Sequence, residues 1–354
     1  MKTCMLHTIC GGAVGVGLLV ALSGCAGTPG TSASGDAVAP ARSAGSAADP
    51  ACAPAPAVEE TFTARNRFGA IEGTLVLPAA CGPRPVALII AGSGPTDRNG
   101  NQATLTAQPY RLLASALAAR GVGSLRYDKA GIAASAHAAP SESDLRFEMG
   151  ADDAALLVTK LRADPRVGAV TIIGHSEGSL VGMLAAERVP VDGFVSLAGA
   201  GRPIAEILRE QLVKAVKDPA LLAKANAIIA SLVAGDTVSD VPKELAALFR
   251  PSVQPYLISW MKYAPATEVA RIATPSVLIA HGSTDIQVPI TDAQRLAAAR
   301  PSATLLVIEG MNHVLKAADT SNASQQDAYT NPSLPVVPEL VTALAITATA
   351  STAR

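Results

Sequence analysis

The sequence predicts an α/β architecture: a mostly parallel central sheet flanked by helices, with a helical segment inserted near the middle. Three observations carry this. Short apolar runs alternate with stretches of helical period, the pattern of strands buried on both faces and joined by crossover helices. One run leads into Gly174-His175-Ser176-Glu177-Gly178 and then an apolar helix. Residues 202–265 hold three or four apolar helical stretches and no strand.

Residues 60–64 and 71–77 read as two strands joined by a turn from Asn66 to Gly69. Further apolar runs follow at 86–91, 122–127, 169–174, 193–198, 276–280 and 304–308. Between the first two of these, Pro109 opens a helix with Leu112, Leu113, Ala116 and Leu117 on one face, and Gly121 lies just past its end. Ala154, Leu157, Val158 and Leu161 repeat the pattern before the next run. In the insertion, Asp218-Pro219 starts a helix carrying Leu221, Leu222, Ala225, Ile228, Ile229 and Leu232, which Gly235 stops. So much Leu and Ile must pack on something, and 202–265 is expected to cap the active site. Trp260, Phe249 and Tyr256 are candidate wall residues there.

The N-terminal region reads differently. Lys2 precedes a short apolar stretch from Gly11 to Leu22, the length of a signal-peptide core and too short to span a membrane. It ends in Leu22-Ser23-Gly24-Cys25, which resembles the lipobox of bacterial lipoproteins and implies a cleaved segment 1–24 and lipid on Cys25. An ordinary cleaved signal is the alternative. Residues 25–57, rich in Ala, Pro, Gly and Ser, cannot offset their own ordering entropy and read as a flexible tether. The catalytic domain is expected at 58–350. An exported, lipid-anchored cell-envelope protein follows, with its membrane contact made through the anchor. Cys52 and Cys81 then stand as a pair where disulfides persist, and a bond between them is expected over two free thiols.

The 354 residues are 49% hydrophobic and ample for a core, while 3% aromatic content leaves that core to Ala, Leu, Val and Ile. A net charge of −1 with no basic cluster excludes a nucleic-acid partner driven by phosphate contacts.

The chemistry gathers at Ser176. A strand, G-x-S-x-G and a helix in that order form a nucleophile elbow, in which Gly174 and Gly178 stand where a Cβ would collide. A serine hydroxyl needs a base, and the base needs an orienting acid. His313, in a turn after the last strand, is the candidate base; His175 is expected to pack and His281 to be structural. Asp285 follows the penultimate strand and is the candidate acid, with Asp292 its rival in a helix's first turn. The order Ser176, Asp285, His313 is that of α/β-hydrolases and not of chymotrypsin or subtilisin. The oxyanion donors are assigned to the backbone of Ser93, in the glycine-rich loop after the strand at 86–91, and of Glu177. No Gly-Lys-Ser/Thr follows that loop, which excludes a phosphate loop, and there is no zinc motif.

Beyond the superfamily, three segments together resemble a group of bacterial α/β-hydrolase carboxylesterases: Gly92-Ser93-Gly94-Pro95-Thr96-Asp97-Arg98, Gly174-His175-Ser176-Glu177-Gly178-Ser179 and Gly310-Met311-Asn312-His313-Val314-Leu315-Lys316. Arg126-Tyr127-Asp128-Lys129 and Leu197-Ala198-Gly199-Ala200-Gly201-Arg202-Pro203 add to it. The resemblance implies a cofactor-free esterase acting on short acyl esters, with Ser176, Asp285 and His313 as its triad. Where such proteins read K-R-G-x-G, this chain has Lys129-Ala130-Gly131-Ile132-Ala133, so a salt bridge from that arginine is missing. Two alternatives stand beside the esterase. A serine aminopeptidase or amidase would need carboxylates for a free amine, and a non-catalytic envelope scaffold would not need a triad.

Overall fold

The computed structural model describes residues 56–79 and 82–350. Its middle layer is an eight-stranded sheet: β1 (Val58–Arg65), β2 (Ala70–Leu77), β3 (Arg84–Ile90), β4 (Gly123–Tyr127), β5 (Val167–His175), β6 (Gly193–Leu197), β7 (Val277–Gly282) and β8 (Thr304–Ile308). In space they run β1-β2-β4-β3-β5-β6-β7-β8. The hairpin β1–β2 and the pair β2–β4 are antiparallel, and every later pair is parallel. All eight strands lie where the apolar runs predict them.

Local chemistry accounts for the joints. In the hairpin, Asn66 Oδ1 accepts the N–H groups of both Phe68 and Gly69 at 2.9 Å, an Asx turn that closes the register at Arg65 opposite Ala70. Strands β4, β6 and β7 bury every residue; β6 and β7 are accordingly mostly apolar, while β4 also buries Ser124 and Arg126. At the far edge β8 leaves Leu305 and Val307 exposed.

The helices are α1 (Pro109–Ala118), α2 (Phe147–Arg162), α3 (Glu177–Arg188), α4 (Ile204–Ala215), α5 (Pro219–Ala234), α6 (Ala246–Phe249), α7 (Gln254–Met261), α8 (Pro265–Arg271), α9 (Ile290–Ala299), α10 (Asn322–Thr330) and α11 (Pro338–Ala350). Two cores result, one on each face of the sheet. Helices α1 and α11 close one; α2, α3, α9 and the helices between β6 and β7 close the other. The fully buried face of α1 is Pro109, Tyr110, Leu113, Ala114 and Leu117, turned slightly from the expected one, with Leu112 and Ala116 half-buried against the same core. The turn carries the Tyr110 hydroxyl inward, to partners described below. Helix α5 begins and ends as its sequence dictates: Asp218 accepts from the Ala220 N–H at 2.9 Å, and Gly235 ends it in the left-handed region at φ 94°.

The segment between β6 and β7 is held to the sheet layer through α7. The Phe147 N–H donates to Ser259 Oγ at 2.7 Å, and the Phe147 and Trp260 rings stack 5.1 Å apart. Tyr256 and Tyr263 complete this cluster, so a chain with few aromatics concentrates four at one seam. Helix α8 packs instead on α3 and α9, as part of the sheet's flank. Among the described residues no helix is long and apolar enough to cross a membrane.

Candidate active site

Strand β5 delivers Ser176 at a sharp corner. Its φ of 55° and ψ of −122° lie outside the regions an L-residue prefers, and such strain persists only where the surroundings over-determine it. They do so here. The Ser176 N–H donates to the Leu197 carbonyl at 2.9 Å, and its own carbonyl accepts from Ser179 at 3.0 Å. A Cβ on Gly174 would run into the Gly178 carbonyl, and one on Gly178 into that of Ile90, so neither position tolerates a side chain. Helix α3 starts at Glu177, whose N–H has no acceptor in a preceding turn and sits at the positive end of the helix.

His313 and Asp285 meet across the ends of β7 and β8. Asp285 Oδ2 accepts from His313 Nδ1 at 2.7 Å, while Oδ1 accepts from the Gln287 and Val288 N–H groups at 2.8 and 3.0 Å. Burial opposes the charge on Asp285, but attraction to His313, these hydrogen bonds and nearby His281 outweigh it and hold the carboxyl below its ordinary range. With Nδ1 donating, His313 Nε2 is left as the basic nitrogen. Buried His281 lies with Nε2 2.9 Å from the Val288 carbonyl and 3.8 Å from Asp285 Oδ2. The rival Asp292 is fully engaged elsewhere, accepting from Arg202 Nη2 at 2.8 Å and from the Gly201 N–H at 3.0 Å.

The loop around His313 is braced by its own motif. Asn312 Oδ1 accepts from the N–H groups of Val314 and Lys316 at 3.1 Å, and its amide donates to Gln325. Lys316 is fully buried and donates to the carbonyls of Ala107 at 2.8 Å and Asn331 at 2.5 Å.

His175 links the elbow to both flanks. Its Nε2 lies 2.8 Å from the His313 carbonyl and its Nδ1 2.8 Å from the Tyr110 hydroxyl. A carbonyl only accepts, so Nε2 carries the hydrogen and Nδ1 accepts from Tyr110. Burial, with the nearby His313, pushes the His175 pKa down to about 3. The ring is therefore neutral near pH 7.

The glycine-rich loop from Gly92 is stiffened from within. Asp97 Oδ1 accepts from the Asn99 and Asn101 N–H groups at 2.8 Å, and Ser93 O accepts from Thr96 Oγ1 at 2.9 Å and Gln102 Nε2 at 3.1 Å. Arg98 fastens it to the loop after β4. Its Nη2 and Nε reach Asp128 Oδ2 at 2.7 and 3.0 Å, and its N–H reaches Oδ1 at 2.7 Å.

Beside Glu177 opens a cleft of about 140 Å³. Ile90, Ala91, Gly94, Tyr127, Phe147, Met149, Val181, Val253 and Tyr256 give it largely apolar walls, with Lys129, Glu142, Arg146, Asp153 and Glu177 as charged or ionisable members. Burial raises Asp153 to about 6 against the hydrogen bond from Asn66. Burial also raises Glu177, opposed by Lys129 and by a hydrogen bond from Tyr256. The expected wall residues need correction. Tyr256 lines the cleft, but Phe249 is wholly buried inside the helical insertion and Trp260 is spent stacking on Phe147. More than half of the lining comes from the connection between β4 and α2 together with the first turns of α2, a stretch with no regular apolar period to reveal it.

The sequence reading also missed Tyr110, Asp128 and Lys129 as parts of the site. Tyr110 hid in an ordinary helical stripe; the two others stood in a motif without an assigned partner. Among the described residues no group of three or more His, Cys, Asp or Glu could hold a metal ion. Cys25, Cys52 and Cys81, with segment 1–24 and nearly all of the tether, lie outside the described residues.

The family model for serine aminopeptidase, S33, matches residues 104–316, a span that includes Ser176, Asp285 and His313. The chain is 26% identical to esterase EstD of Thermotoga maritima over 251 residues, 69% of this chain and 58% of that protein. Among solved structures, Est1E from Butyrivibrio proteoclasticus superposes with a TM-score of 0.52 at 18% identity, over 84% of this chain and all of its own length. A 2,6-dihydroxy-pseudo-oxynicotine hydrolase gives a TM-score of 0.51 at 16% identity, over 82% of this chain and 68% of its own. With its fold that of the α/β-hydrolases and more than half of its length matched by the family model, the chain belongs to the serine aminopeptidase S33 family.

Proposed function

We propose that the chain is a serine hydrolase that cleaves carboxylic esters of short acyl chains through an acyl-enzyme intermediate. The observation that carries this is the 2.7 Å hydrogen bond from His313 Nδ1 to Asp285 on the same rim as the strained Ser176. His313 Nε2 takes the proton from Ser176 Oγ as that oxygen bonds to the ester carbonyl carbon. The N–H groups of Ser93 and Glu177 receive the oxyanion. Collapse breaks the bond to the alcohol, which leaves with the proton from His313, and water repeats the sequence to release the acid. The apolar walls of the cleft suit an acyl chain, and the similarity to esterase EstD supports ester over amide.

Ser176→Ala is expected to fold and to lower turnover of p-nitrophenyl acetate on the order of 10⁴-fold. Wild-type protein is expected to take a fluorophosphonate label at Ser176. Turnover retained within tenfold, roughly 1.4 kcal/mol of barrier, overturns the mechanism.

A second reading is favoured by the carboxylates of Glu177 and Asp153 in the cleft, which could receive the free amine of an aminoacyl substrate. Activity on aminoacyl amides above that on matched N-acetylated amides and simple esters would select it.

We also propose that Cys25 carries lipid and holds the protein in the cell envelope, from the Leu22-Ser23-Gly24-Cys25 motif. Cys25→Ala should abolish incorporation of labelled fatty acid, and membrane retention of a processed, unlipidated variant overturns it. A bond between Cys52 and Cys81 is proposed with it, and free thiols at both positions in exported protein refute that.

A further inference from the structure

Lys129 lies in the loop after β4 and borders the cleft, yet its ammonium is turned to the backbone. Nζ donates to the Gly92 carbonyl at 2.6 Å and stands 3.9 Å from Glu177 Oε1. On the other side of the same residue, the Gly92 N–H donates to the Tyr110 hydroxyl at 3.1 Å. Both polar groups of Gly92 are thus fixed. This residue presses on the nucleophile: a Cβ built on Gly92 would lie 3.1 Å from Ser176 Cβ.

The described residues include no cis peptide bond. Across a planar trans unit the carbonyl of Gly92 and the N–H of Ser93 point in opposite directions, so fixing one fixes the other. Among the described residues, no protein acceptor takes the Ser93 N–H. The Ser93 carbonyl, by contrast, is doubly occupied by Thr96 and Gln102.

We propose that Lys129 is a positioning residue for the oxyanion site, its ammonium setting the plane of the Gly92–Ser93 peptide and holding the Ser93 N–H toward the developing negative charge. The proposal rests on the acyl-transfer reading above. A cation on the Gly92 carbonyl also polarises the peptide and strengthens its N–H as a donor. Glu177 keeps that cation in place: burial lowers the Lys129 pKa, and the neighbouring carboxylate works against this. The substrate feels Lys129 through the peptide, and most strongly once the carbonyl oxygen has become an oxyanion. Its effect therefore falls on the chemical step and not on ground-state binding.

The test uses the full chain with p-nitrophenyl acetate and, as a mimic of the tetrahedral state, a trifluoromethyl ketone that adds Ser176 Oγ. Lys129→Met is expected to lower kcat by about 10- to 100-fold with KM within about twofold. Ketone affinity should fall by the same factor as kcat, and Lys129→Arg should restore most of both. Raised KM with unchanged kcat, or undiminished ketone affinity, overturns the proposal and leaves Lys129 as part of the cleft wall. If Lys129→Met loses its circular-dichroism signature, Tyr110→Phe addresses the same peptide from its other end. It should lower kcat and ketone affinity together, and loss of neither overturns the proposal. Ser176→Ala measured in parallel separates the two readings: if it stays active, the acyl-transfer reading itself fails and this proposal with it.

Discussion

His175 donates from Nε2 to the main-chain carbonyl of His313 at 2.8 Å, so the residue before the nucleophile holds the backbone of the candidate base. His175→Phe keeps much of the volume but loses this bond and the one to Tyr110. It is expected to lower kcat on the order of 10- to 100-fold by letting the His313 loop drift, as steady-state kinetics would show.

The same residue predicts a pH dependence of stability. Folding depresses the His175 pKa from a reference of 6.5 to about 3. Between those values the unfolded chain binds more protons than the folded one, so stability rises with pH through that window and is lost as pH falls through it. Urea midpoints should drop between pH 7 and pH 4.5 in the wild type and drop less in His175→Phe. Equal slopes in the two proteins would refute the assignment.

Asp285→Asn is expected to cost about 10³- to 10⁴-fold in turnover while leaving the fold intact. A carboxamide can donate to Nδ1 and leave the hydrogen on Nε2, the wrong nitrogen to accept from Ser176. Binding of a substrate-shaped ketone lacking fluorine should change little by comparison.

Asp128 is 2% exposed and accepts from Arg98 three times and from the Ala134 N–H. Asp128→Ala removes the carboxylate and strands a largely buried guanidinium, at a cost of about 3 kcal/mol or more in denaturant unfolding. Activity of the folded fraction should fall as well, because the loop bearing Ser93 loses its tie to β4.

On the proposed esterase reading, acyl-length preference is expected to follow the cleft wall and not the interior of the insertion. Met149→Ala should shift the optimum in kcat/KM toward longer acyl esters, gaining about 0.8 kcal/mol for each methylene newly buried. Phe249→Ala, by contrast, should cost about 3–5 kcal/mol of stability and leave the chain-length profile nearly unchanged. A shifted profile in Phe249→Ala would return that residue to the wall.

The strands were legible because burial on both faces leaves β3, β5, β6 and β7 largely apolar, and the elbow because Gly174 and Gly178 have no alternative there. Asp285 and His313 could be placed because each follows its strand by only a few residues. What stayed hidden is contact between segments far apart in sequence. Nothing near Lys129 announces Gly92, 37 positions away, and nothing near Tyr110 announces His175, 65 away. Nor does an aromatic in an apolar helix declare whether it faces a cavity or a neighbour, and for that reason Phe249 and Trp260 were misplaced as wall residues.

The bracing of the His313 loop has a consequence for the order in which the protein comes into being. Ser176 is translated more than a hundred residues before His313, and one brace of the loop carrying His313, the bond from Lys316 to the carbonyl of Asn331, needs residue 331 as well. Synthesis runs from the N-terminus, so a growing polypeptide owns its nucleophile long before it owns a base. On the proposed mechanism an incomplete chain is in this sense its own zymogen, its reactivity toward acyl compounds waiting on the part of the fold that follows β8.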